Sequence, residues 1–138
     1  MTNSNPKYKD NLIVQLSFDF SLKVIDYAEL LEEKKKFVIS RQLLKSATSI
    51  GANIREAQNA ESRADFIHKM KIALKEADET EYWIELCENA ESYPKPVGLI
   101  ASLSSIRKIL NKIISSAKRS SVNPLINSST NPDRFANQ

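Results

Sequence analysis

The chain has 138 residues, of which 41% are hydrophobic and 27% are charged, and its formal net charge is +3. This length suits one domain with one core, and the composition is ordinary for a soluble protein. No apolar run approaches the roughly 20 residues that are needed to cross a bilayer.

Glycine, proline and cysteine are all scarce. Two glycines and five prolines supply little of the turn chemistry that many short strands require, so an all-α fold is favoured. The single cysteine, Cys87, excludes an internal disulfide framework, and we interpret it as a small core residue. The polar first ten residues lack the apolar core of a signal peptide, so we expect a cytoplasmic protein.

The first two predicted helices cover about residues 10–36 and about residues 40–59. In the first, apolar residues recur at steps of three and four, with Asp10 as the expected N-cap. The second is expected to begin with Ser40 as its N-cap. It carries one of the two glycines, Gly51, beside an apolar stripe, and we interpret this glycine as a point of close approach between helices.

The third and fourth predicted helices cover about residues 62–92 and about residues 96–119. Ser62 and Asp65 resemble a capping box at the start of the third helix. Prolines between these two helices break the chain. Short links between long amphipathic helices favour antiparallel neighbours, so residues 1–119 are predicted to form an up-down four-helix bundle. The Ser-, Asn- and Pro-rich residues 120–138 are predicted to form a flexible tail.

A polar row runs along one edge of the second predicted helix. Its members follow one another at steps of three, four and three: Ser46, Ser49, Asn53 and Glu56. A catalytic reading would need a base next to a serine nucleophile, and the row offers none. We therefore interpret it as a polar seam that fixes the register between helices.

Both sides of the third predicted helix carry apolar residues toward its C-terminal end. A helix that is apolar nearly all round is buried on two sides, and in a small domain the second side is expected to be a subunit interface. The residues predicted to form it are Tyr82, Trp83, Leu86 and Ala90.

Two glutamates, Glu81 and Glu88, project close to the core face of the same helix and need partners. The second helix is expected to supply these partners, from Asn53, Arg55 or Arg41.

The sequence gives little support for a metal site or for a catalytic site. A carboxylate-bridged di-metal bundle needs two Glu-x-x-His motifs, and the chain has one histidine, His68. No cofactor, metal ion or small-molecule substrate is predicted, and no catalytic residue is assigned. Arg63 and His68 match a loose Arg-x4-6-His pattern of helical ribonucleases, but they project about 140° apart on a regular helix. A metal-independent ribonuclease therefore stays a minor alternative.

Charge is distributed unevenly along the chain. From residue 95 to residue 119 there are six basic residues and no acidic one, whereas residues 61–91 hold nine acids and four bases. Such a basic helix favours phosphate backbones. The candidate nucleic-acid-binding residues are Arg107, Lys108, Lys112, Lys118 and Arg119. The alternative is that the acidic third helix lies beside the fourth and neutralises it, and the sequence leaves both readings open.

The segment from Leu43 to Cys87 resembles the 23S rRNA intervening-sequence proteins. The resemblance rests on the S-A-x-S-I-x-x-N-I-x-E-A core at residues 46–57, on Ser62 with residues 65–67, and on K-E-A-x-E-T-x-Y-W at residues 75–83. Its signature residues are Ser46, Ser49, Gly51, Asn53, Glu56, Ser62, Glu76 and Glu79.

This resemblance implies an antiparallel four-helix bundle that assembles as a ring of five, with no established enzymatic reaction. Some members of the family are encoded within insertions in large-subunit rRNA genes, and relatives serve as basic nucleic-acid-binding accessories of diversity-generating retroelements. We therefore expect a non-enzymatic homo-oligomer that binds RNA or another nucleic acid. The alternative is a protein-interaction scaffold whose charges balance within the assembly.

Overall fold

A computed structural model of the protein describes residues 3–122. Apart from a short 3₁₀ helix at Pro6–Tyr8, its secondary structure consists of four α-helices, and no strand occurs among the described residues. The helices are α1 (Leu12–Glu33), α2 (Phe37–Ala57), α3 (Arg63–Asn89) and α4 (Leu99–Val122). The predicted all-α class is confirmed. The tail predicted for residues 120–138 lies outside the described residues from position 123 onward.

The helices pack in cyclic order, with α2 against α1 and α3, and α4 against α3 and α1. Hydrogen bonds near the turns show that neighbouring helices run antiparallel. The Tyr27 hydroxyl of α1 donates to the Pro94 carbonyl, and the Lys36 ammonium donates to the Ser92 hydroxyl over 3.1 Å. The α1–α2 turn and the α3–α4 loop therefore lie together, at what we call the Pro94 end. The α2–α3 turn lies at the opposite end, which we call the Ser62 end.

One core of aliphatic and aromatic side chains runs through all four helices. Full burial of each such side chain contributes roughly 1.5–3 kcal/mol, so the stripes that produce the 3.6-residue periodicity also hold the bundle together. Cys87 lies in this core, as predicted, and burial raises the pKa of its thiol. The largest fully buried side chains are Ile13, Val14, Phe20, Leu31, Leu43, Ile50, Ile54, Met70, Ile84, Leu103, Ile106 and Leu110.

The N-cap of the first helix lies one residue later than predicted, so the assignment of Asp10 as N-cap is wrong. The N-cap is Asn11, whose side-chain oxygen accepts from the Val14 amide over 3.4 Å. The Asn11 amide also donates to the Gln58 side chain over 2.9 Å. The Asn11 side chain thus caps α1 with its oxygen and donates to the end of α2 with its nitrogen, and a carboxylate has no donor for the second bond.

The second helix begins three residues earlier than predicted, and Ser40 is not its N-cap. Lys36 occupies that position without a side-chain cap. Just before it, Lys35 adopts a left-handed conformation with φ of 62°, and the Lys36 amide donates to the Leu31 carbonyl, as in a Schellman motif. Ser40 instead lies buried inside α2 and donates to the Ala28 carbonyl of α1 over 2.9 Å.

The third helix has the N-cap that its sequence predicts. The Ser62 hydroxyl accepts from the Asp65 amide over 3.0 Å, and the Asp65 carboxylate accepts from the Glu61 amide over 3.2 Å. In this capping box, the shorter Asp side chain therefore bonds the amide of the residue before the N-cap and not the amide of the N-cap itself. The fourth helix begins at Leu99 rather than near residue 96, because Gly98 turns the chain with φ of 81°.

Gly51 faces α1, as its place on the edge of the stripe indicates. A methyl group added to it would lie 3.5 Å from the Ser17 Oγ and 3.7 Å from the Ser17 Cβ, which are ordinary van der Waals distances. The helices are therefore close at this point, but not so close that only glycine fits.

We predict that Gly51→Ala raises the free energy of unfolding by about 0.5–1 kcal/mol, because alanine restores helix propensity without a clash. Urea denaturation followed by circular dichroism measures the change. The matched control is Ala52→Gly at the exposed neighbouring position, which should lower stability by a similar amount. A destabilised Gly51→Ala variant would show that the glycine is needed for packing.

Candidate nucleic-acid interface

The solvent-facing side of α4 carries a line of three cations. Lys108, Lys112 and Arg119 fall within about 40° of one another on the helical wheel, opposite the buried stripe. All three are exposed. Within residues 3–122, no carboxylate oxygen lies within 4.0 Å of their charged nitrogens. These side chains can therefore reach an anionic partner without breaking a contact in the bundle.

Arg107 is different from the other candidates because it turns toward α3. Its Nη1 lies 2.6 Å from the Glu81 Oε2, and its Nη2 donates to the Asp78 carboxylate. The hydrogen bond to Glu81 raises the pKa of Arg107, and the charges of Asp78 and Glu85 add to the effect. Arg107 is thus a contact between α3 and α4, and to that extent the acidic helix does neutralise the basic one.

The same ion pair corrects the partner expected for Glu81. Its partner comes from α4 and not from α2, so the assignment to Asn53, Arg55 or Arg41 is wrong. Arg55 instead lies against the rings of Tyr8 and Phe18, at 4.8 and 5.7 Å from their centroids. Glu88, the second glutamate that was expected to need a partner, is exposed. Water can therefore solvate its charge.

Lys118 lies on the flank of α4 that faces α3, and it meets a lysine there. Lys118 is a neighbour of Lys71 of α3, and its ammonium lowers the pKa of Lys71. Sequence reasoning missed Lys71 because it belongs to the acidic helix. A helical wheel of α3 could have found it, because Lys71 lies only about 20° from Asp78 and therefore on the flank that meets α4.

The polar row of α2 lies along its contact with α3. The Thr80 hydroxyl of α3 donates to the buried Ser46 Oγ over 2.9 Å, and the Lys69 ammonium lies 3.2 Å from the Glu56 carboxylate. Ser49 and Asn53 bond carbonyls one turn back in their own helix. Two members therefore connect helices, and two bond within α2.

The two signature glutamates of α3, Glu76 and Glu79, lie on the side of this helix away from α4. Partial burial raises the pKa of Glu76, the adjacent Glu79 raises it further, and Lys45 opposes the shift. The Glu79 carboxylate accepts from the indole N–H of Trp83 over 3.2 Å. This bond orients the Trp83 ring along the helix surface.

The predicted interface residues differ in their exposure. Tyr82 is 57% exposed and Leu86 is 38% exposed, whereas Trp83 is half-buried and packs against the core. The rings of Tyr82 and Trp83 meet edge to face at 5.2 Å. Ala90, the C-cap of α3, is half-buried. Tyr82 and Leu86 are therefore the side chains of this set with the most apolar surface left for a second subunit.

The remaining chemical alternatives gain no support from the geometry. Arg63 and His68 lie on the regular helix α3, so they project to different faces, and His68 is exposed. Among residues 3–122, no group of three or more His, Cys, Asp or Glu side chains could hold a metal ion. None of the described helices is both long and apolar enough to cross a membrane.

Taken together, these features define an all-α four-helix bundle with a polar α2–α3 seam and an exposed basic helix. The family model of the 23S rRNA-intervening sequence protein matches residues 9–113. The chain belongs to this family.

A solved structure gives the same result. The chain is similar to a protein of unknown function from the S23 ribosomal protein family of Bacteroides thetaiotaomicron, with 46% identity and a TM-score of 0.70. The match covers 74% of this chain and 97% of that one. No curated protein matches the chain.

We predict that Ser46→Ala and Thr80→Val each lower the free energy of unfolding by about 1 kcal/mol, because each removes the buried hydrogen bond between the two hydroxyls. The double variant should cost less than the sum, since the two hydroxyls share that bond. Thermal or urea denaturation of all four proteins measures the coupling. Ser49→Ala, whose hydroxyl bonds only its own helix, is the control. Strictly additive losses would show that the two hydroxyls do not act together.

Proposed function

We propose that this protein is a non-enzymatic oligomeric bundle that binds RNA in the cytoplasm through the exposed face of α4. The observation that carries the proposal is the line of Lys108, Lys112 and Arg119, which has no carboxylate partner within the described residues. Lysine and arginine on one line release counterions when they contact a phosphate backbone, which favours binding irrespective of base sequence. Lys118, on the flank of this surface, adds a fourth cation.

One candidate of the sequence analysis is left out of this surface. Arg107 already holds Asp78 and Glu81, so an RNA phosphate would have to compete with two carboxylates. That ion pair is also the observation that favours the alternative function, a protein-interaction scaffold with balanced charges. The two functions differ in whether RNA binds and in how steeply binding depends on salt.

The proposal includes self-association as a homo-oligomer, with a ring of five as the state implied by family membership. Exposed apolar side chains on two helices support it. Val38 of α2 is 70% exposed and lies toward the Pro94 end, as do Tyr82 and Leu86 of α3. Repeating the basic face of α4 around a ring would turn one weak cationic line into a continuous basic surface, which raises affinity through multivalency.

For RNA binding, we predict that the Lys108→Ala/Lys112→Ala/Arg119→Ala variant binds a single-stranded oligoribonucleotide about sixtyfold more weakly at 0.15 M salt. The estimate assigns about fourfold to each lost phosphate contact, and the slope of log K against log salt should become shallower by about 2. Fluorescence anisotropy at several salt concentrations measures both quantities.

The matched control for this variant removes three exposed lysines from outside α4, as Lys34→Ala/Lys35→Ala/Lys45→Ala. It carries the same change in net charge and should retain most of the affinity. Unchanged binding by the α4 variant would contradict the proposed surface. Failure of the wild-type protein to bind RNA at any salt concentration would favour the scaffold.

For self-association, we predict that Tyr82→Ser/Leu86→Ser shifts the oligomer toward monomers without loss of helix content, because both side chains are exposed in the isolated bundle. This double variant is a cleaner test than Trp83→Ala, since Trp83 also packs on the core. Light scattering at micromolar concentration measures the mass, and Leu12→Ser, at a position 61% exposed on α1, is the control. A monomeric wild-type protein would contradict the proposed assembly.

A further inference from the structure

Two lysines from different helices meet near the Ser62 end of the α3–α4 contact. The ion pair between Arg107 and Glu81 fixes how these antiparallel helices are aligned. Lys71 lies ten residues before Glu81, and Lys118 lies eleven residues after Arg107. At 1.5 Å per residue, these steps cover about 15 and about 16.5 Å in the same direction. The alignment therefore brings the two lysines to the same level on the facing flanks of adjacent helices.

Nothing in the described part of the chain neutralises this pair. Both lysines are exposed, and within residues 3–122 neither ammonium has a carboxylate oxygen within 4.0 Å. The acidic residues of α3 that face α4 begin two turns further along, at Asp78, and Arg107 is paired with Asp78 and Glu81. Two neighbouring like charges disfavour each other, which agrees with the lowered pKa of Lys71. An anion between them would remove this repulsion and form two charge-assisted hydrogen bonds.

We propose that Lys71 and Lys118 together form a subsite for one backbone phosphodiester of a nucleic acid, with each ammonium donating to a phosphate oxygen. The inference rests on the RNA binding proposed above and adds α3 to the binding surface. Lys118 then connects the subsite to Arg119, the next residue on the exposed line of α4. The bound strand would follow α4 and reach α3 near the Ser62 end, where the helix contact is basic and not acidic.

The first test measures RNA affinity in single variants. We expect Lys71→Gln and Lys118→Gln each to weaken binding of a single-stranded oligoribonucleotide about fourfold at 0.15 M salt. The control Lys34→Gln removes the same charge outside the proposed surface and should change affinity less than twofold. Lys71→Arg should retain binding. Because Lys71→Gln removes a repulsion, its resistance to urea should be no lower than that of the wild type, which excludes misfolding as the cause of a loss.

The second test detects the subsite directly. In the wild-type protein, titration with a ribodinucleotide that carries one phosphodiester should shift the side-chain NMR signals of Lys71 and Lys118 and leave that of Lys34 in place. Equal responses of all three lysines, or variants that bind RNA as tightly as Lys34→Gln, would overturn the subsite. If those variants bind normally while the Lys108/Lys112/Arg119 variant does not, the subsite fails and the proposed function stands. If the wild type binds no RNA, the proposed function fails, and the dinucleotide titration decides the subsite separately.

Discussion

The alignment of the helices along their axes is the constraint on which the rest of this structure depends. Apolar stripes alone tolerate a slide of one turn, about 5.4 Å, because a shifted stripe still meets apolar neighbours. A slide would leave the buried hydroxyls of Ser46 and Thr80 without each other and separate Arg107 from its carboxylates. Each hydroxyl would keep a bond to a carbonyl of its own helix, so loss of the bond between them costs about 0.5–1.5 kcal/mol. A few such polar contacts favour one alignment that the apolar contacts leave undecided.

This alignment determines which charges remain available to partners. The net charge of +3 indicates little by itself, since most of the charged groups of α3 and α4 could have neutralised one another. In the observed alignment, Arg107 is paired with two carboxylates of α3. Further along the same α3–α4 contact, Lys118 faces another lysine, Lys71, and neither has a carboxylate partner within the described residues. The surplus of positive charge is therefore concentrated on the outer face of α4 and toward the Ser62 end. A local surplus of this kind, and not the average charge, attracts a phosphate backbone.

The sequence predicted the four helices and their buried stripes because the 3.6-residue period depends only on local order. It also predicted the cap at Ser62, where the capping side chain bonds its own helix. The starts of α1 and α2 were wrong because they depend on other helices: Asn11 also bonds Gln58, and Ser40 bonds α1. The choice of candidate nucleic-acid-binding residues was incomplete for the same reason. A helical wheel of α4 alone does not show that Arg107 contacts carboxylates of α3. A charge count over the whole acidic segment also hides Lys71, which is a lysine within α3.

The residues that identify the family and the residues proposed to bind RNA lie on different parts of the bundle. Of the signature residues, Ser46 and Glu56 connect α2 to α3, and Ser62 caps α3. In this chain, these signature residues therefore serve the fold and its alignment. The outer face of α4 contributes nothing to that seam, so its charges can vary without loss of the fold. A binding function must accordingly be argued from the exposed side chains of this particular chain, and here they favour an anionic polymer over a neutral partner.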